Sequence, residues 1–307
     1  MMIKQDILKP EIVNMSDNYY FPRYEGLEKL VIFPDSEIRR RDIPNSSVWV
    51  FGEPHRYELD ILAADVGCGI TGFSMPEIDY KSAADVISEM LNGKGILGGG
   101  NHFVDLCSSI VSCYGASSGS TMLIHTDGKY VNKNMPLTLN EALIKTSDAS
   151  KFRVQLGYDI SQRLGVDAEV LGDWIHNSVE QTDGKVIYRK GAIKVSEGKI
   201  HILPAHIGSD ILVYTVDNNE LPPMDSMPHG TGRKYPRSAL KDDSCISIMK
   251  QQIHDLRQHV YMPVGDDDAL KSAAPYCYND FTRVFEKLVQ YIVSVGHLDI
   301  KAFIGKI

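Results

Sequence analysis

The chain of 307 residues is 43% hydrophobic and 23% charged, a composition typical of one large globular domain or two small ones. It contains no run of about 18 apolar residues, which argues against a membrane-spanning helix, and its first residues lack the pattern of a secretory signal. The five cysteines are scattered without a Cys-x-x-Cys pair, which favours a reducing, cytoplasmic environment over a disulfide framework or a classical zinc finger.

The net charge of −8 argues against a surface that attracts nucleic acid as a whole. Such a partner would have to bind at a local basic patch. Residues 39–41, Arg-Arg-Arg, are one candidate patch, although a solvated loop is the simpler interpretation.

The first part of the chain alternates polar segments with short apolar runs. Residues 1–30 are polar and rich in tyrosine, and we interpret them as a lead-in segment without chemistry. Residues 30–35 predict a buried strand that ends at a Pro turn, and two further apolar runs follow at 48–52 and 59–64. Residues 81–92 have the spacing of an amphipathic helix.

The second part predicts further strands and helices. Apolar runs predict strands at residues 103–106, 121–124, 211–216 and 300–304. Residues 139–164 predict one or two helices, and residues 185–203 predict a hairpin that turns at 196–199. Residues 279–295 give the clearest helix, capped by Asn279, because their apolar side chains fall on one face.

No repeat, low-complexity linker or change of composition divides the chain, so we expect a single domain over residues 1–307. The mixture of elements predicts an α+β fold in which mixed or antiparallel sheets are covered by helices. Reactive side chains follow several of the predicted strands, which places the active site in a cleft where strand ends converge.

Residues 64–69, Ala-Asp-Val-Gly-Cys-Gly, combine a carboxylate and a thiol with glycines that allow a sharp turn. Asp65 and Cys68 can therefore point into one space, and with imidazoles they suit a borderline metal such as zinc or manganese. A turn between strands with a buried cysteine explains the same stretch without a metal. Candidate imidazole partners stand at predicted strand or loop ends: His102, His125, His176 and His229.

A single histidine is more often structural than a ligand, but four such placements favour chemistry. One interpretation is a metal centre with room for two metals, formed by Asp65, Cys68, His102, His125 and His176. Two metals can hold phosphoryl oxygens and activate a nucleophile. A histidine kept off the metals, such as His229, can then attack phosphorus.

Two glycine-rich stretches favour binding of phosphate or nucleotide. Residues 98–103, Gly-Gly-Gly-Asn-His-Phe, suit a loop that runs against a ligand better than a flexible turn. Residues 227–234, Met-Pro-His-Gly-Thr-Gly-Arg-Lys, place His229 beside Gly-x-Gly and two bases, which can hold a phosphate. An ordinary Pro/Gly loop with a solvated basic end explains the second stretch equally well.

Eight short motifs follow one another in order, at residues 65–69, 99–105, 125–129, 176–177, 189–192, 204–208, 229–233 and 305–306. Together they resemble the motifs of the RtcB family of RNA-splicing ligases. The family's motifs are Asp-x-Gly-Cys-Gly, Gly-Asn-His-Phe-x-Glu, His-Ser-Gly-Ser-Arg, His-Asn, Arg-Lys-Gly-Ala, Pro-Gly-Ser-Met-Gly, His-Gly-Ala-Gly-Arg and a C-terminal Lys-Gly. The resemblance runs from about Ile32 to the end of the chain.

This resemblance implies a GTP- and manganese-dependent ligase that joins an RNA 3′-phosphate or 2′,3′-cyclic phosphate to a 5′-hydroxyl. By the same resemblance, two Mn²⁺ are bound by Asp65, Cys68, His102, His125 and His176. His229 attacks the α-phosphorus of GTP and carries GMP to the RNA. The residues implied in binding guanylate or phosphate are Asn101, Phe103, Asp105, Arg189, Lys190, His229, Gly230, Tyr278 and Lys306.

The chain departs from the family pattern at several positions. Asp105 stands where the family has Glu, and its shorter side chain reaches a guanine edge less well. Residues 125–129, His-Thr-Asp-Gly-Lys, add an acid, Asp127, beside the metal site, and residues 204–208 place His206 near the expected phosphate. The chain is short for the family, so we expect loops of the RNA surface to be trimmed.

These changes leave the metal ligands intact and affect the choice of substrate, so two alternatives stay open. One is a metal-dependent enzyme that transfers phosphoryl or nucleotidyl groups to another substrate. The other is a non-catalytic module that binds metal and nucleotide.

Overall fold

The computed structural model describes residues 9–18, 20, 22–37, 43–92, 94–96, 102–111, 119–127, 129, 133–216, 220–235 and 241–305. Predictions that concern the basic stretch 39–41, the glycine-rich stretch 98–101 and Lys306 lie outside these residues. Within the described ranges, no helix is both long enough and apolar enough to cross a membrane.

Strands predominate in the described chain, and helices are inserted between them. The strands are β1 (Glu11–Asn14), β2 (Leu27–Ile32), β3 (Ser47–Gly52), β4 (Gly69–Met75), β5 (Phe103–Val111), β6 (Ser120–Thr126), β7 (Glu169–Ile175), β8 (Asn177–Thr182), β9 (Lys185–Lys190), β10 (Ala192–Lys194), β11 (His201–Leu203), β12 (Ile211–Val216), β13 (Ser226–Pro228) and β14 (Ile292–Ile304). The helices are α1 (Leu59–Leu62), α2 (Tyr80–Leu91), α3 (Leu139–Leu164), α4 (Asp243–Leu256), α5 (Asp267–Leu270) and α6 (Phe281–Glu286).

The larger sheet positions the candidate site. Its strand order is β11-β12-β14-β5-β6-β4-β7, and neighbouring strands run antiparallel. In its register Gly69 lies opposite both Thr126 and Ile175, and Phe103 lies opposite His125. The first residues of β4 and β5 and the last residues of β6 and β7 therefore meet at one edge of the sheet.

The second sheet is mixed and has the order β1-β2-β3-β9-β8. Its pair β1/β2 is parallel, whereas the other neighbours are antiparallel. Strand β10 follows β9 after Gly191 and pairs with β13, which ends immediately before His229. This short pair brings His229 next to Gly191, although the two residues are far apart in the sequence.

Helices α2 and α3 contribute to a core that includes one face of the larger sheet. From α3, Leu156 and Ile160 join Phe73 and Met122 of the strands in one buried cluster. A Cβ on Gly157 would lie only 2.1 Å from the Phe73 ring, so this glycine lets the helix approach the sheet closely. Each large apolar side chain buried in this way contributes about 1.5–3 kcal/mol. The prediction of an α+β fold with antiparallel and mixed sheets is confirmed.

The helix predicted for residues 279–295 is wrong over most of its length. Helix α6 covers only Phe281–Glu286, and Asp280 rather than Asn279 caps it, by accepting a hydrogen bond from the Arg283 backbone. From residue 292 the chain forms β14, which lies between β12 and β5. The β-branched residues at the start of β14 favour a strand, and pairing on both sides decides the outcome.

The apolar run at 59–64 contains helix α1, and residues 139–164, predicted as one or two helices, form the single helix α3. Long-range pairing decides two other segments. The hairpin predicted for residues 185–203 does not form, because β10 pairs with β13 and β11 pairs with β12. The lead-in 1–30 contributes β1 and the start of β2 to the second sheet.

Candidate metal centre and cleft

Four strand ends bring the cysteine and three histidines of the motifs together. Cys68 precedes β4, His102 precedes β5, His125 stands near the end of β6, and His176 follows β7. All four side chains are buried. Since these strand ends meet at one edge of the larger sheet, their soft and borderline donor atoms converge there.

Cys68, His102 and His125 have the geometry to hold a metal ion. Cys68 Sγ lies 3.7 Å from His102 Nε2 and 3.3 Å from His125 Nε2, and the three donor atoms lie within 4.8 Å of one another. Two donors that are each about 2.0–2.3 Å from one ion can be roughly 4.4 Å apart at most. Cys68 can therefore share an ion with either histidine. Burial raises the pKa of the Cys68 thiol, so metal binding has to displace its proton.

His176 continues the row of rings from this group towards His229. Its ring centroid lies 5.1 Å from that of His125 and 4.6 Å from that of His229. Burial, and next the charge of His229, lower the pKa of His176 well below its usual value. His176 is therefore neutral, which is the state that binds metals. Its Nδ1 accepts or donates no hydrogen bond within the described chain.

Asp65, which the sequence predicts as a metal ligand, is ion-paired with Lys129. Lys129 Nζ lies 2.9 Å from Asp65 Oδ1 and 3.1 Å from Asp127 Oδ2. Burial by itself raises the pKa of Asp65. The hydrogen bond and the charge of Lys129 outweigh this effect and hold the pKa below its usual value. The carboxylate is thus charged and turned towards Lys129 rather than into the Cys68, His102 and His125 group.

His229 is held by the backbone of Gly191. Its Nδ1 lies 2.8 Å from Gly191 O, and its backbone N–H donates to the same oxygen at 3.0 Å. A carbonyl oxygen can only accept, so Nδ1 carries the proton, and in the neutral ring the lone pair lies on Nε2. Gly191 N donates in turn to Asn177 Oδ1 at 2.9 Å. The His-Asn and Arg-Lys-Gly-Ala motifs therefore support the ring of His229.

These groups line a cavity with a volume of about 1380 Å³. Among the residues predicted to bind nucleotide or phosphate, the cavity is lined by Phe103, Asp105, Lys190, His229, Gly230 and Tyr278. The Phe103 ring packs 5.0 Å from that of His125, and the Arg233 guanidinium lies 5.2 Å from the centre of the Tyr278 ring. Burial raises the pKa of Asp105 well above its usual value, which favours the neutral acid.

The resemblance implies that Arg189 contacts phosphate, but in the structure its side chain is engaged by protein groups. Its buried guanidinium pairs with Glu180 Oε2 at 2.6 Å and donates to Ser226 Oγ at 2.9 Å. These contacts fit a structural role better than a phosphate contact. Asn101 and Lys306 lie outside the described residues.

Arg153 supports the loops of the candidate metal centre and was not singled out in the sequence. It is fully buried on α3, and its Nη1 donates to the carbonyl oxygens of Gly67 at 2.7 Å and Thr126 at 3.3 Å. Its Nη2 pairs with Asp173 Oδ1 at 3.1 Å. Arg153 thereby ties the loop before β4 to the end of β6. An arginine within a 26-residue helix carries no local signal of such a role.

The antiparallel sheet edge, the buried Cys/His/His group and the adjoining cleft define a candidate metal-dependent enzyme on an α+β scaffold. Residues 138–299 match the family described as tRNA-splicing ligase RtcB. Because this match spans more than half of the chain, the chain belongs to the RtcB family. The matched segment contains His176 and His229, whereas Cys68, His102 and His125 precede it. No curated protein matches the chain.

Proposed function

We propose that the protein is a GTP- and manganese-dependent ligase that joins an RNA 3′-phosphate or 2′,3′-cyclic phosphate to a 5′-hydroxyl. Membership of the RtcB family supports RNA ligation. The observation that carries the proposal is the setting of His229, whose Nδ1–H donates to Gly191 O at 2.8 Å beside the Cys/His group. This hydrogen bond places the proton on Nδ1, so that Nε2 carries the lone pair of a ring that lines the cleft.

The chain's own residues can hold the implied manganese. Cys68, His102 and His125 have the required spacing, and His176 is a neutral, buried imidazole next to them. We propose that Asp65 completes the set and that Asp65 and Cys68 serve two Mn²⁺ in common. When bound, these ions supply positive charge that neutralises phosphoryl oxygens. The same donors also suit zinc, so the choice of manganese rests on the family.

A 2′,3′-cyclic phosphate must first be opened by water, which breaks the P–O2′ bond and leaves a 3′-phosphate. From the 3′-phosphate the proposed reaction has three steps. His229 Nε2 attacks the α-phosphorus of GTP, so that a P–N bond forms and diphosphate leaves. The RNA 3′-phosphate then takes the guanylate from His229, which restores the imidazole. Finally the 5′-hydroxyl attacks the activated 3′-phosphorus, and GMP leaves with the electron pair of the broken anhydride bond.

Guanylate would bind in the part of the cavity lined by Phe103, Asp105, Gly230 and Tyr278. The two aromatic rings offer apolar surface to a base, and the Asp105 carboxyl offers hydrogen bonds to its edge. We assign Asn101 and Lys306 to the same pocket by their family motifs only. Lys190 also lines the cavity and would meet phosphate charge.

Guanylylation of His229 is the decisive test. Incubation with GTP and Mn²⁺ should leave one guanylate on His229, located by mass spectrometry, and His229→Ala should abolish both the adduct and RNA joining. His254→Ala removes an exposed histidine of α4 and should keep both. Absence of the adduct in the unmodified protein, or an adduct that survives in His229→Ala, would contradict the proposal.

A second candidate is transfer of the nucleotidyl group to a substrate other than RNA. It is favoured by Asp127 and His206, which differ from the family pattern and lie at or beside the cleft. His206 Nδ1 accepts from the Gly208 backbone at 3.2 Å, so its proton is on Nε2 and can be donated to a ligand. Formation of the His229 adduct without RNA joining would support this candidate. Tight Mn²⁺ binding without adduct or turnover would instead indicate a non-catalytic module.

A further inference from the structure

Asp127 is a buried carboxylate on the His102 side of the Cys/His group. It follows β6 directly and is only 2% exposed. Its Oδ1 accepts the Lys129 backbone N–H at 2.8 Å, which fixes the side chain. Burying a carboxylate is costly unless positive charge or hydrogen bonds compensate it, so its surroundings indicate what this residue is for.

The second oxygen of the carboxylate, Oδ2, faces both Lys129 and His102. Asp127 Oδ2 lies 3.9 Å from His102 Nε2. Oxygen and nitrogen donors lie about 2.0–2.2 Å from a bound zinc, so two donors on one such ion can be roughly 4.2 Å apart. The observed spacing therefore allows one ion to contact both side chains. His102 Nε2 also lies 3.7 Å from Cys68 Sγ, so His102 stands between the carboxylate and the thiol, while Asp127 lies outside the Cys68, His102 and His125 group whose donor atoms are all within 4.8 Å of one another.

The positive charge beside Asp127 is shared with a second carboxylate. Lys129 Nζ lies 3.1 Å from Asp127 Oδ2 but also 2.9 Å from Asp65 Oδ1. A single ammonium is thus shared by two carboxylates, which leaves these three groups with one net negative charge while Cys68 is a thiol. A divalent ion at His102 would offset this charge and that of the Cys68 thiolate formed when the ion displaces the thiol proton.

We propose that Asp127 is a ligand of the divalent ion on the His102 side of the centre. This inference rests on the metal part of the proposed function and adds a ligand that the family motif does not supply. A hard carboxylate oxygen beside a thiolate raises the affinity for oxygen-preferring divalent ions such as Mn²⁺. Lys129 competes with the ion for the two carboxylates and limits their excess charge.

Titration with Co²⁺ in the absence of GTP and RNA tests this ligand directly. Co²⁺ has visible bands that report the number and type of its ligands, and a near-ultraviolet band that reports the Cys68 thiolate. Asp127→Asn should weaken Co²⁺ binding about tenfold or more and shift the visible bands, while the thiolate band remains and shows that the site is folded. Asp148→Asn makes the same chemical change on the exposed side of α3 and should alter neither quantity.

The variant Lys129→Met distinguishes two roles of Asp127, that of a metal ligand and that of an ion-pair partner of Lys129 alone. If Asp127 binds the ion, removal of the competing ammonium should strengthen Co²⁺ binding and leave the visible bands in place. Unchanged bands with an affinity within twofold in Asp127→Asn, or weaker binding in Lys129→Met, would overturn the proposal while leaving the ligase function standing. Failure of the unmodified protein to bind Co²⁺ or Mn²⁺ would overturn both.

Discussion

At the scale of single residues, neighbours from distant parts of the chain determine protonation and orientation around the cleft. The Gly191 carbonyl accepts hydrogen bonds from His229 and from Ser46 Oγ, the latter at 3.1 Å. Gly191 itself has φ +60, and a Cβ there would lie 2.1 Å from Asn45 O. Any other residue would therefore displace the support of His229. Asp35 also lines the cavity, and its burial changes the pKa of its carboxyl.

Asp35 should make folding stability depend on pH. Burial raises its pKa to about 7, and one oxygen, Oδ1, has no hydrogen-bond partner within the described chain. The raised pKa gives stability that is complete below about pH 4, the pKa of an unfolded Asp, and is lost as pH rises towards 7. Relative to the unmodified protein, Asp35→Asn should therefore gain roughly 2–4 kcal/mol of unfolding free energy between pH 4 and pH 8.

Urea unfolding at a series of pH values measures this difference. Asp148→Asn on the exposed side of α3 serves as the control and should show no pH-dependent difference. A constant difference between Asp35→Asn and the unmodified protein across this pH range would refute the assignment.

At the scale of elements, α3 supports the edge of the larger sheet that carries the candidate metal centre. Thr138 caps its start and Gly165 ends it in the left-handed conformation, so its 26 residues form one rigid helix. Arg153 projects from it to Gly67, Thr126 and Asp173. Through Arg153 the helix thus fixes the position of the loop before β4 relative to the end of β6.

Arg153→Met should destabilise the fold by about 3–5 kcal/mol, because it leaves the buried partners of the guanidinium unpaired. The lower end is expected, since Asp173 keeps hydrogen bonds from Thr71 and Ser150, each at 2.6 Å. Urea unfolding measures the change. In a double-mutant cycle, Asp173→Asn should cost less in the Arg153→Met background than alone. Strictly additive effects would show that the two side chains do not support each other.

At the scale of the whole molecule, metal binding is expected to stabilise the fold, because the ligands come from the ends of different strands and separate on unfolding. At a free concentration of one hundred times the dissociation constant, a bound ion contributes about 2.7 kcal/mol. For a chain of this size this corresponds to a rise of roughly 5 °C in Tm.

Thermal unfolding with added Mn²⁺ and after chelation should show this difference. Cys68→Ser should lose most of the rise, because Cys68 stands within reach of both His102 and His125. His254→Ala, on the surface of α4, should keep it. An equal rise in Cys68→Ser would place the stabilising ion elsewhere.

The local sequence predicted many elements, because their signals lie within a few residues. The amphipathic spacing of residues 81–92 corresponds to α2, and the apolar run at 121–124 corresponds to β6. The motifs also predicted the family. The segment 279–295 was assigned wrongly, since an apolar helix face and a strand paired on both sides give similar patterns over a short stretch. The roles of individual site residues stay predictions.

The motifs show which residue types the chain offers for metal and phosphate chemistry and in which order they follow one another. Which of these residues meet depends on tertiary contacts. Register between β4, β5, β6 and β7 gathers Cys68, His102 and His125, whereas Lys129 draws Asp65 aside. The tertiary structure also shows that Arg153 holds this edge together through its hydrogen bonds to Gly67 and Thr126. Strand register and buried ion pairs depend on contacts between distant segments, and no local window of the sequence contains them.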